Sequence, residues 1–143
     1  LTKTTGTNLD EFSISYDATT NEGRKVTLTV PAEIDTAGRV LFRFYWWSVG
    51  QKTGNVRWEV RYTSTGADGE DWDQTLTTLG VTCAVAGNTE DFDICAVQET
   101  FSTLGWAVND RITVHIYRSA DSSLDTMTGD AELSMFQVIM PVS

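Results

Sequence analysis

The chain has 143 residues, enough for one domain with a buried core, and 41% of them are hydrophobic. Ten Lys and Arg residues against twenty Asp and Glu residues give a formal net charge of −10. Nucleic acid and anionic membrane both attract basic surfaces, so this charge disfavours them as partners, and no apolar run approaches the roughly 20 residues of a membrane-spanning helix.

Alternation of apolar and polar residues recurs in short runs from about residue 11 onward. In chain order the runs are FSISYD, KVTLTVP, RVLFRFYWW, NVRWEVRYT, VTCAV, ICAVQETF, RITVHIYR and AELSMFQVIM. Each has the length and the β-branched or aromatic content of a strand, and polar turn segments separate them. The pattern predicts an all-β fold: a single antiparallel β-sandwich of jelly-roll type with about eight strands over residues 11–143. Residues 1–10 are polar, and we expect them to form an extended N-terminal arm that lies on a neighbouring molecule.

The last predicted strand changes parity midway. One face of an ideal strand would hold Ala131, Leu133 and Met135, and the other would hold Phe136, Val138 and Met140. A strand cannot bury both sets on one side of a sheet unless its register shifts by one residue. Two explanations stay open: a β-bulge near Met135 and Phe136, or a central strand whose second face is covered by a partner subunit.

The two cysteines, Cys83 and Cys95, each lie inside a predicted strand. No CxxC pair or Cys/His cluster is present, which argues against a zinc site. A disulfide between them would form if the two flanking strands pair as a hairpin, and it would add about 3 kcal/mol of stability. A pair of buried free thiols fits the pattern equally well, because cysteine packs as a small apolar residue.

Catalysis is not indicated by any motif. The single histidine, His115, shares one face of its strand with Thr113 and Tyr117, opposite the apolar set, and nothing in the sequence marks it as a general base. Most carboxylates fall in predicted turns, where Asp commonly hydrogen-bonds its own backbone. The facing carboxylates of a glycosidase are therefore not predicted, and we expect no enzymatic activity and no cofactor.

The densest acidic run is ADGEDWD, which holds Asp68, Glu70, Asp71 and Asp73. Calcium takes about six to eight oxygen ligands, and an EF-hand supplies them at alternate positions between two helices. This run lacks both that spacing and the helices. Its four carboxylates are therefore weak calcium candidates, and no metal site is predicted.

Five tryptophans are many for a chain of this length. Trp46 and Trp58 share the parity of the core, whereas Trp72 and Trp106 lie in or beside predicted loops. An exposed indole ring in a loop can stack on a sugar ring, so Trp72 and Trp106 are the candidate glycan-binding residues. The alternative is that both rings plug the ends of the sandwich, since large aromatic side chains usually bury most of their area.

The segment YRSADSSLDTMTGDAELSMFQVIMP, residues 117–141, combines three aspartates with the last two strands. The aspartates match neither the ligand spacing of a calcium loop nor the geometry of a catalytic pair. We interpret the segment as a hairpin in which Asp121 and Asp125 shape the turn and Gly129 lets the chain leave the turn and enter the last strand. Asp130 is expected to bond either backbone groups or Arg118 at the base of the hairpin.

Three stretches of the chain form a family signature when taken together: FRFYWWS, GQKTGNVRWEVRYTS and the segment 117–141. They resemble the β-sandwich domain of tailed-phage virion surface proteins, of the tail-fibre tip, head-fibre tip or capsid-decoration type. The matching positions are Trp46, Gly54, Val56, Trp58, Arg118, Asp125, Thr126, Gly129, Asp130, Ala131 and Leu133. One departure is the end of the chain, VIMPVS, where that family usually has an aromatic residue. The resemblance spans about residues 11–141 and implies a non-enzymatic, outward-facing virion domain that is often trimeric and sometimes binds host glycans.

The function expected from these features is that of a phage structural protein on the virion surface, outside the cell. It would serve as capsid decoration or as part of a fibre or spike, and would contribute to host attachment. Its expected partners are other virion proteins, further copies of itself in a homo-oligomer with a trimer favoured, and a host glycan. The alternative is a carbohydrate-binding module of a secreted or cell-surface protein.

Overall fold

The computed structural model describes residues 2–5, 10–50, 53–66, 69–71, 73–87 and 91–142. Within them the chain forms nine strands and one short helix. In chain order these are β1 (Thr2–Thr5), β2 (Asp10–Tyr16), β3 (Glu22–Thr29), β4 (Arg39–Ser48), β5 (Asn55–Thr65), β6 (Thr77–Ala84), β7 (Asp93–Thr100), α1 (Phe101–Leu104), β8 (Arg111–Arg118) and β9 (Ala131–Ile139). In the described part of the chain no helix is long and apolar enough to cross a membrane.

The strands form two antiparallel sheets that enclose the core between them. The first, which we call the β4 sheet, has the order β1-β2-β9-β4-β7, and the second, the β5 sheet, has the order β3-β8-β5-β6. Apart from β1, these are the strand orders of a jelly roll, in which the chain passes repeatedly from one sheet to the other and builds two Greek keys. The predicted fold class, an all-β antiparallel sandwich of jelly-roll type, is confirmed.

The segment predicted as an extended N-terminal arm contributes β1. Thr2–Thr5 pairs antiparallel with β2 of the same chain, with Thr2 opposite Ser13 and Thr5 opposite Asp10. This pairing makes β1 the edge strand of the β4 sheet. The remaining arm residues before Asp10, namely 1 and 6–9, lie outside the described residues.

The core is centred on Trp58 of β5. Its indole ring meets the ring of Tyr16 edge-on, with 5.1 Å between centroids, and stacks on Phe44 of β4 at 5.4 Å. Trp46 lies edge-on to the same ring at 6.1 Å. The inward positions of β4 and β5 are buried, as the alternation predicts: Val40, Phe42, Phe44, Trp46, Val56, Trp58, Val60 and Tyr62. The intervening residues point away from the core, so each sheet presents an outer face.

β9 contains a β-bulge, which is one of the two explanations that the sequence left open for its change of parity. Tyr45 pairs with Met135, but the next residue of β4 pairs with Leu133, so Ser134 has no opposite residue. The shift lets Leu133 and Phe136 both pack against the core although they differ in parity. The bulge explanation is therefore confirmed, and it leaves Met135 on the outer face of the β4 sheet beside Tyr45.

A disulfide joins Cys83 of β6 to Cys95 of β7, with 6.1 Å between the two Cα atoms. β6 is an edge strand of the β5 sheet, and β7 is an edge strand of the β4 sheet. The bridge therefore closes one side of the sandwich by linking its two layers. Of the two alternatives for the cysteines, the disulfide is confirmed, but the hairpin expected to accompany it is wrong because β6 and β7 lie in opposite sheets.

Removal of the disulfide is expected to lower the free energy of unfolding by about 3 kcal/mol, because the bridge restricts a loop of about a dozen residues in the unfolded chain. Urea denaturation of the double variant Cys83→Ala/Cys95→Ala measures this loss. Wild-type protein unfolded with a reductant present is the matched control and should lose the same amount, whereas the double variant should not respond to reductant. A loss below about 1 kcal/mol would contradict a clamping role.

Candidate functional site

The connection between β8 and β9 is not the hairpin that the sequence predicted. β8 pairs with β3 and β5, whereas β9 pairs with β2 and β4. Both edges of each strand are thus occupied by other partners, and residues 119–130 cross from the β5 sheet to the β4 sheet. The prediction failed because strands that follow each other in the chain pair often, but not always, in a sandwich.

Arg118, the last residue of β8, lies at the start of this crossing with its side chain fully buried. Its Nε and Nη2 donate to the two carboxylate oxygens of Asp125 at 3.0 and 2.9 Å. Nη1 donates to the carbonyls of Tyr16 at 3.0 Å and Gly129 at 2.9 Å, and Nη2 also donates to the carbonyl of Met127 at 2.9 Å. All five N–H groups of the guanidinium therefore have an acceptor, as a buried cation requires.

Asp125 also fastens the crossing to the start of β5. Its Oδ2 accepts the backbone N–H of Arg57 at 3.0 Å in addition to the bond from Arg118. The next residue, Thr126, donates its backbone N–H to the carbonyl of Asn55 at 2.8 Å and accepts the N–H of Asn55 on Oγ1 at 3.0 Å. The carboxylate is thus used within the fold, as a brace between the crossing and two strands of the β5 sheet.

The other two aspartates of the crossing hold turns near its surface. Asp130 accepts the backbone N–H of Ala18 on Oδ1 at 3.2 Å, so of the two roles predicted for Asp130 the bond to backbone is confirmed. Asp121 accepts a bond from the hydroxyl of Ser119 at 3.4 Å, and its own N–H donates to Oδ1 of Asn21 at 3.2 Å. The acidic appearance of this segment therefore reflects structural hydrogen bonds.

The weak calcium candidates are engaged in turns as far as they are described. Asp68 lies outside the described residues. Glu70 accepts the backbone N–H of Gly66 at 2.8 Å, and Asp71 accepts that of Asp73 at 2.9 Å, which is the usual role of acidic side chains in turns. Among the residues that the structure describes, no group of three or more His, Cys, Asp or Glu side chains could hold a metal ion.

Trp106 is not a glycan-stacking residue, and the prediction for it is wrong. Its ring is buried and lies edge-on to Phe42 at 6.0 Å and to Tyr62 at 5.5 Å. The short helix α1 and the turn after it place this ring over one end of the core, so the alternative of a plugged sandwich end applies to Trp106. Trp72 lies outside the described residues.

An apolar groove of about 460 Å³ lies where β2 and β9 of one sheet approach β3 and β8 of the other. Its described lining comes from β2, β3, β8 and β9 and consists of Ser13, Ile14, Val26, Thr27, Leu28, Ile116, Leu133, Ser134, Met135, Phe136 and Val138. None of these side chains is an acid or a base at neutral pH. This lining offers no group for general acid–base catalysis, which needs a proton donor or acceptor within reach.

The outer face of the β4 sheet carries a patch with little charge on β7, β4 and β9. We call the apolar face nine of the outward positions of these strands: Ile94, Ala96, Gln98, Leu41, Arg43, Tyr45, Met135, Gln137 and Ile139. By register Tyr45 lies between Ile94 and Met135, so an aromatic ring and two large apolar side chains form one row across three strands. Ile94 is 60% exposed, Met135 41% and Ile139 40%. A contiguous exposed patch of this kind marks a contact surface more often than a random part of a protein.

Charge is nearly absent from the apolar face. Arg43 is its one charged residue, and Nη1 of Arg43 donates to the hydroxyl of Tyr45 at 3.3 Å. None of the chain's twenty acidic residues is among the nine positions, and the nearest outward charges lie just beyond them: the exposed Arg39 at the start of β4 and the buried Glu132 of β9. Depletion of charge at the centre of a patch is what distinguishes protein interfaces from the remaining surface.

Trp47 lies beyond Tyr45 on the outward side of β4 but is itself only 6% exposed, and sequence reasoning missed this position. The ring of Trp47 meets Phe92 edge-on at 5.5 Å, while Phe92 itself remains half exposed. The signal was present in the sequence: Trp46 and Trp47 are consecutive, so if one faces the core the other must face outward. His115 does lie where its parity predicts, on the outer face of the β5 sheet with Thr113 and Tyr117.

Asp93 is a buried carboxyl at the start of β7, paired in register with Trp46. Burial raises the pKa of Asp93 above its ordinary range, a hydrogen bond from the backbone of Ala86 pulls the pKa down, and the negative charge of Asp91 raises it. The folded protein therefore binds this proton more tightly than the unfolded chain does. The stability associated with the protonated carboxyl is lost as the pH rises through the raised pKa.

Replacement of Arg118 is expected to cost about 3–5 kcal/mol in unfolding free energy, because Arg118→Met leaves the Asp125 carboxylate buried without its cation. The double variant Arg118→Met/Asp125→Ala should recover little of this loss, since the carbonyls of Met127 and Gly129 lose their donor in both variants. Arg61→Met, which breaks a partly exposed ion pair with Glu59, is the control and should cost at most about 1 kcal/mol. Full recovery in the double variant, measured by urea denaturation, would contradict a role for the carbonyl contacts.

Asp93→Asn is expected to raise the unfolding free energy at neutral pH, because it removes the cost of ionising a buried carboxyl. The advantage over wild type should shrink as the pH falls and disappear below about 4, where Asp is protonated in both the folded and the unfolded state. Urea denaturation across this pH range measures the difference. The exposed Asp73→Asn is the control and should show no such trend; a gain for Asp93→Asn that is constant with pH would refute the assigned burial effect.

Comparison with known proteins identifies no relative of this chain. No family model, no curated protein and no solved structure matches the chain. The resemblance to phage virion domains therefore stays a prediction, and the surfaces described above are the basis on which a function can be proposed.

Proposed function

We propose that this protein is a non-enzymatic structural protein of a phage virion surface, serving as capsid decoration or as part of a fibre or spike. It assembles with further copies of itself, as a trimer, and the apolar face is the surface that the copies bury. The observation that carries this proposal is the apolar face itself: a row in which the half-buried Tyr45 lies between the exposed Ile94 and Met135, on a chain with a net charge of −10.

Burial of the apolar face supplies the driving force for assembly. Each exposed large apolar side chain removed from water contributes on the order of 1 kcal/mol or more, roughly in proportion to the area that it loses. Copies of a chain with a net charge of −10 repel one another on balance, so a contact between copies is most favourable where acids are missing. Gln98 and Gln137, beside Leu41 and Arg43 in register, can form hydrogen bonds across such a contact.

A trimer can bury the apolar face of every copy although each copy has only one such face. A ring of three copies lets one part of the face contact a different part of the same face on the next copy around a common axis. The apolar face is then hidden from water in all three copies. Because the ring is closed, no copy keeps a free apolar face through which an open filament could grow.

The placement on a virion rests on two further observations. Jelly rolls are recurrent in viral capsid domains, although a fold by itself does not determine a function. The disulfide between Cys83 and Cys95 suits a protein that works outside the reducing interior of a cell. Both agree with the motif resemblance to phage surface domains given above.

The carbohydrate-binding alternative is weakened by Trp106. That ring is buried in the core, so of the two proposed stacking residues only Trp72 is left, and it lies outside the described residues. We therefore favour assembly over sugar stacking by loop tryptophans.

Light scattering coupled to size-exclusion chromatography is expected to report about three times the chain mass of 15.8 kDa for the wild-type protein. The double variant Ile94→Glu/Met135→Glu should report a monomer, because it places two like charges at the centre of a contact shared by three copies. Leu76→Glu is the matched control. Leu76 is 39% exposed, a fraction similar to the 41% of Met135, but it precedes β6 of the opposite sheet. The Leu76→Glu variant should therefore keep the wild-type mass.

A wild-type monomer at micromolar concentration would contradict assembly, and an unchanged mass in the double variant would contradict the assigned face. The virion location has a separate readout. Antibodies raised against the assembled protein should label the outside of intact particles of its source phage in electron micrographs. Labelling that is absent from intact particles would refute the surface location and leave the mass measurement unaffected.

A further inference from the structure

The outer face of the β5 sheet is cationic, in contrast to the chain as a whole. Its outward positions hold Lys25, Arg57, Arg61 and Arg111, which are four of the ten Lys and Arg residues, together with His115. One of the twenty acidic residues, Glu59, lies among them. We call this surface the cationic face. It carries a net positive charge, while the remainder of the molecule is even more acidic than the overall −10 indicates.

Three basic side chains of the cationic face lie in one row across three strands. Lys25 of β3 pairs with His115 of β8, and His115 pairs on its other side with Arg61 of β5. Neighbouring strands are about 4.8 Å apart, so the row spans roughly 10 Å. A row of this length can contact acidic groups on successive units of an extended polymer that lies across the strands.

Arg61 is held in place before any ligand arrives. Nε and Nη2 of Arg61 donate to Oε2 of Glu59 at 2.9 and 2.7 Å. Its guanidinium carbon lies 3.6 Å from the centroid of the Tyr117 ring, so the planar group stacks on the aromatic face. A guanidinium fixed in this way loses little side-chain entropy when it binds an anion.

Arg57 is placed flat on the sheet by Gly80 of β6. A Cβ atom added at Gly80 would overlap Nη2 of Arg57, so the glycine provides the space in which the guanidinium lies. Nη1 of Arg57 donates to the hydroxyl of Thr82 at 3.3 Å, and Nε lies 4.0 Å from Oε1 of Glu59. Glu59 thus positions two guanidinium groups, and the trio keeps a net positive charge for an outside anion.

The other outward residues favour a sugar polymer over a protein surface. Thr27, Thr113 and Thr63 lie next to one another in register and form a second row beside the basic one. Their hydroxyls both donate and accept hydrogen bonds, which suits the hydroxyl groups of a saccharide. Protein interfaces depend on a few large apolar anchors, and Tyr117 is the one large aromatic side chain at the outward positions of β3, β8, β5 and β6.

We propose that the cationic face is a binding site for an acidic polysaccharide, whose carboxylate or sulfate groups contact the row Lys25–His115–Arg61 and the neighbouring Arg57. The acidic residues on other surfaces do not prevent this, because charges more than about 8–10 Å away are largely screened at physiological ionic strength. The site is on the opposite side of the sandwich from the apolar face, so it does not depend on the proposed assembly.

Binding is tested by biolayer interferometry with two immobilised probes, dextran sulfate and polygalacturonate, which present sulfate and carboxylate groups respectively. Neutral dextran is the control polymer, and duplex DNA represents the other class of polyanion. We expect both acidic polysaccharides to bind, neutral dextran not to bind, and binding to weaken as NaCl is raised. A sulfate-only or carboxylate-only response still supports the site and identifies the acidic group that it accepts.

Variants at the cationic face separate geometry from net charge. Arg61→Ala and Arg57→Ala should each lower the affinity about ten-fold, as expected for the loss of a charge-assisted hydrogen bond. Gly80→Ala keeps the charge but displaces the Arg57 guanidinium, and it should lower the affinity to a similar extent as Arg57→Ala. Arg39→Ala removes an exposed cation from the first position of β4 in the other sheet, and it should leave the affinity unchanged.

The proposal is overturned if neither acidic polysaccharide binds at about 50 mM NaCl, if neutral dextran binds equally well, or if Arg39→Ala weakens binding as much as Arg61→Ala. Tighter binding of duplex DNA than of both polysaccharides would also overturn it and identify nucleic acid as the partner class. The monomeric variant Ile94→Glu/Met135→Glu should still bind, so failure of assembly and failure of this site are distinguishable. Circular dichroism of each variant verifies that it is folded, and the two independent arginine variants keep the test decisive if one does not fold.

Discussion

The buried guanidinium of Arg118 is the contact on which the arrangement of the sandwich depends. It extends from the end of β8 in one sheet, takes the carbonyl of Tyr16 at the end of β2 in the other, and holds the chain that leads into β9. Asp125 neutralises its charge and at the same time accepts a backbone bond from β5. A buried cation is tolerated only when every donor is satisfied, so the two sheets and their connection must adopt this one arrangement together.

The two layers are joined at a second place by the disulfide between the edge strands β6 and β7. The hydrogen bonds of Arg118 fix the two sheets at one position and the disulfide fixes them at another, and between these positions the inward side chains pack around Trp58 as one cluster. Neither outer face is needed to hold the sandwich together. Each is therefore available for contacts with other molecules, and the two differ in chemistry: the first includes the apolar face, with Arg43 as the one charge among its nine positions, and the second is cationic on an acidic protein.

Much of the fold follows from local patterns. The alternation in RVLFRFYWW and NVRWEVRYT predicted which side of β4 and β5 is buried. The parity change in AELSMFQVIM narrowed β9 to a bulge or a partner-covered strand, and the structure has the bulge. The errors concern non-local choices. Trp106 was a candidate for glycan stacking because it lies beside a loop, but the other alternative applies: the short helix α1 directs its ring onto Phe42 and Tyr62. The hairpin was expected because β8 and β9 are consecutive, yet each pairs with strands far away in the chain.

The sequence by itself determined where the strands lie and which residues share a face of each strand. Both follow from the alternation of apolar and polar residues, which depends on residues one or two positions apart. Which strands become neighbours was decided by the tertiary structure. Lys25, His115 and Arg61 form a row, and Ile94, Tyr45 and Met135 form another, only because the jelly roll brings distant strands into register. The partners of Arg118 show the same division: Asp125 is seven positions away, whereas Tyr16 is 102 positions away and is brought close by burial of the whole core.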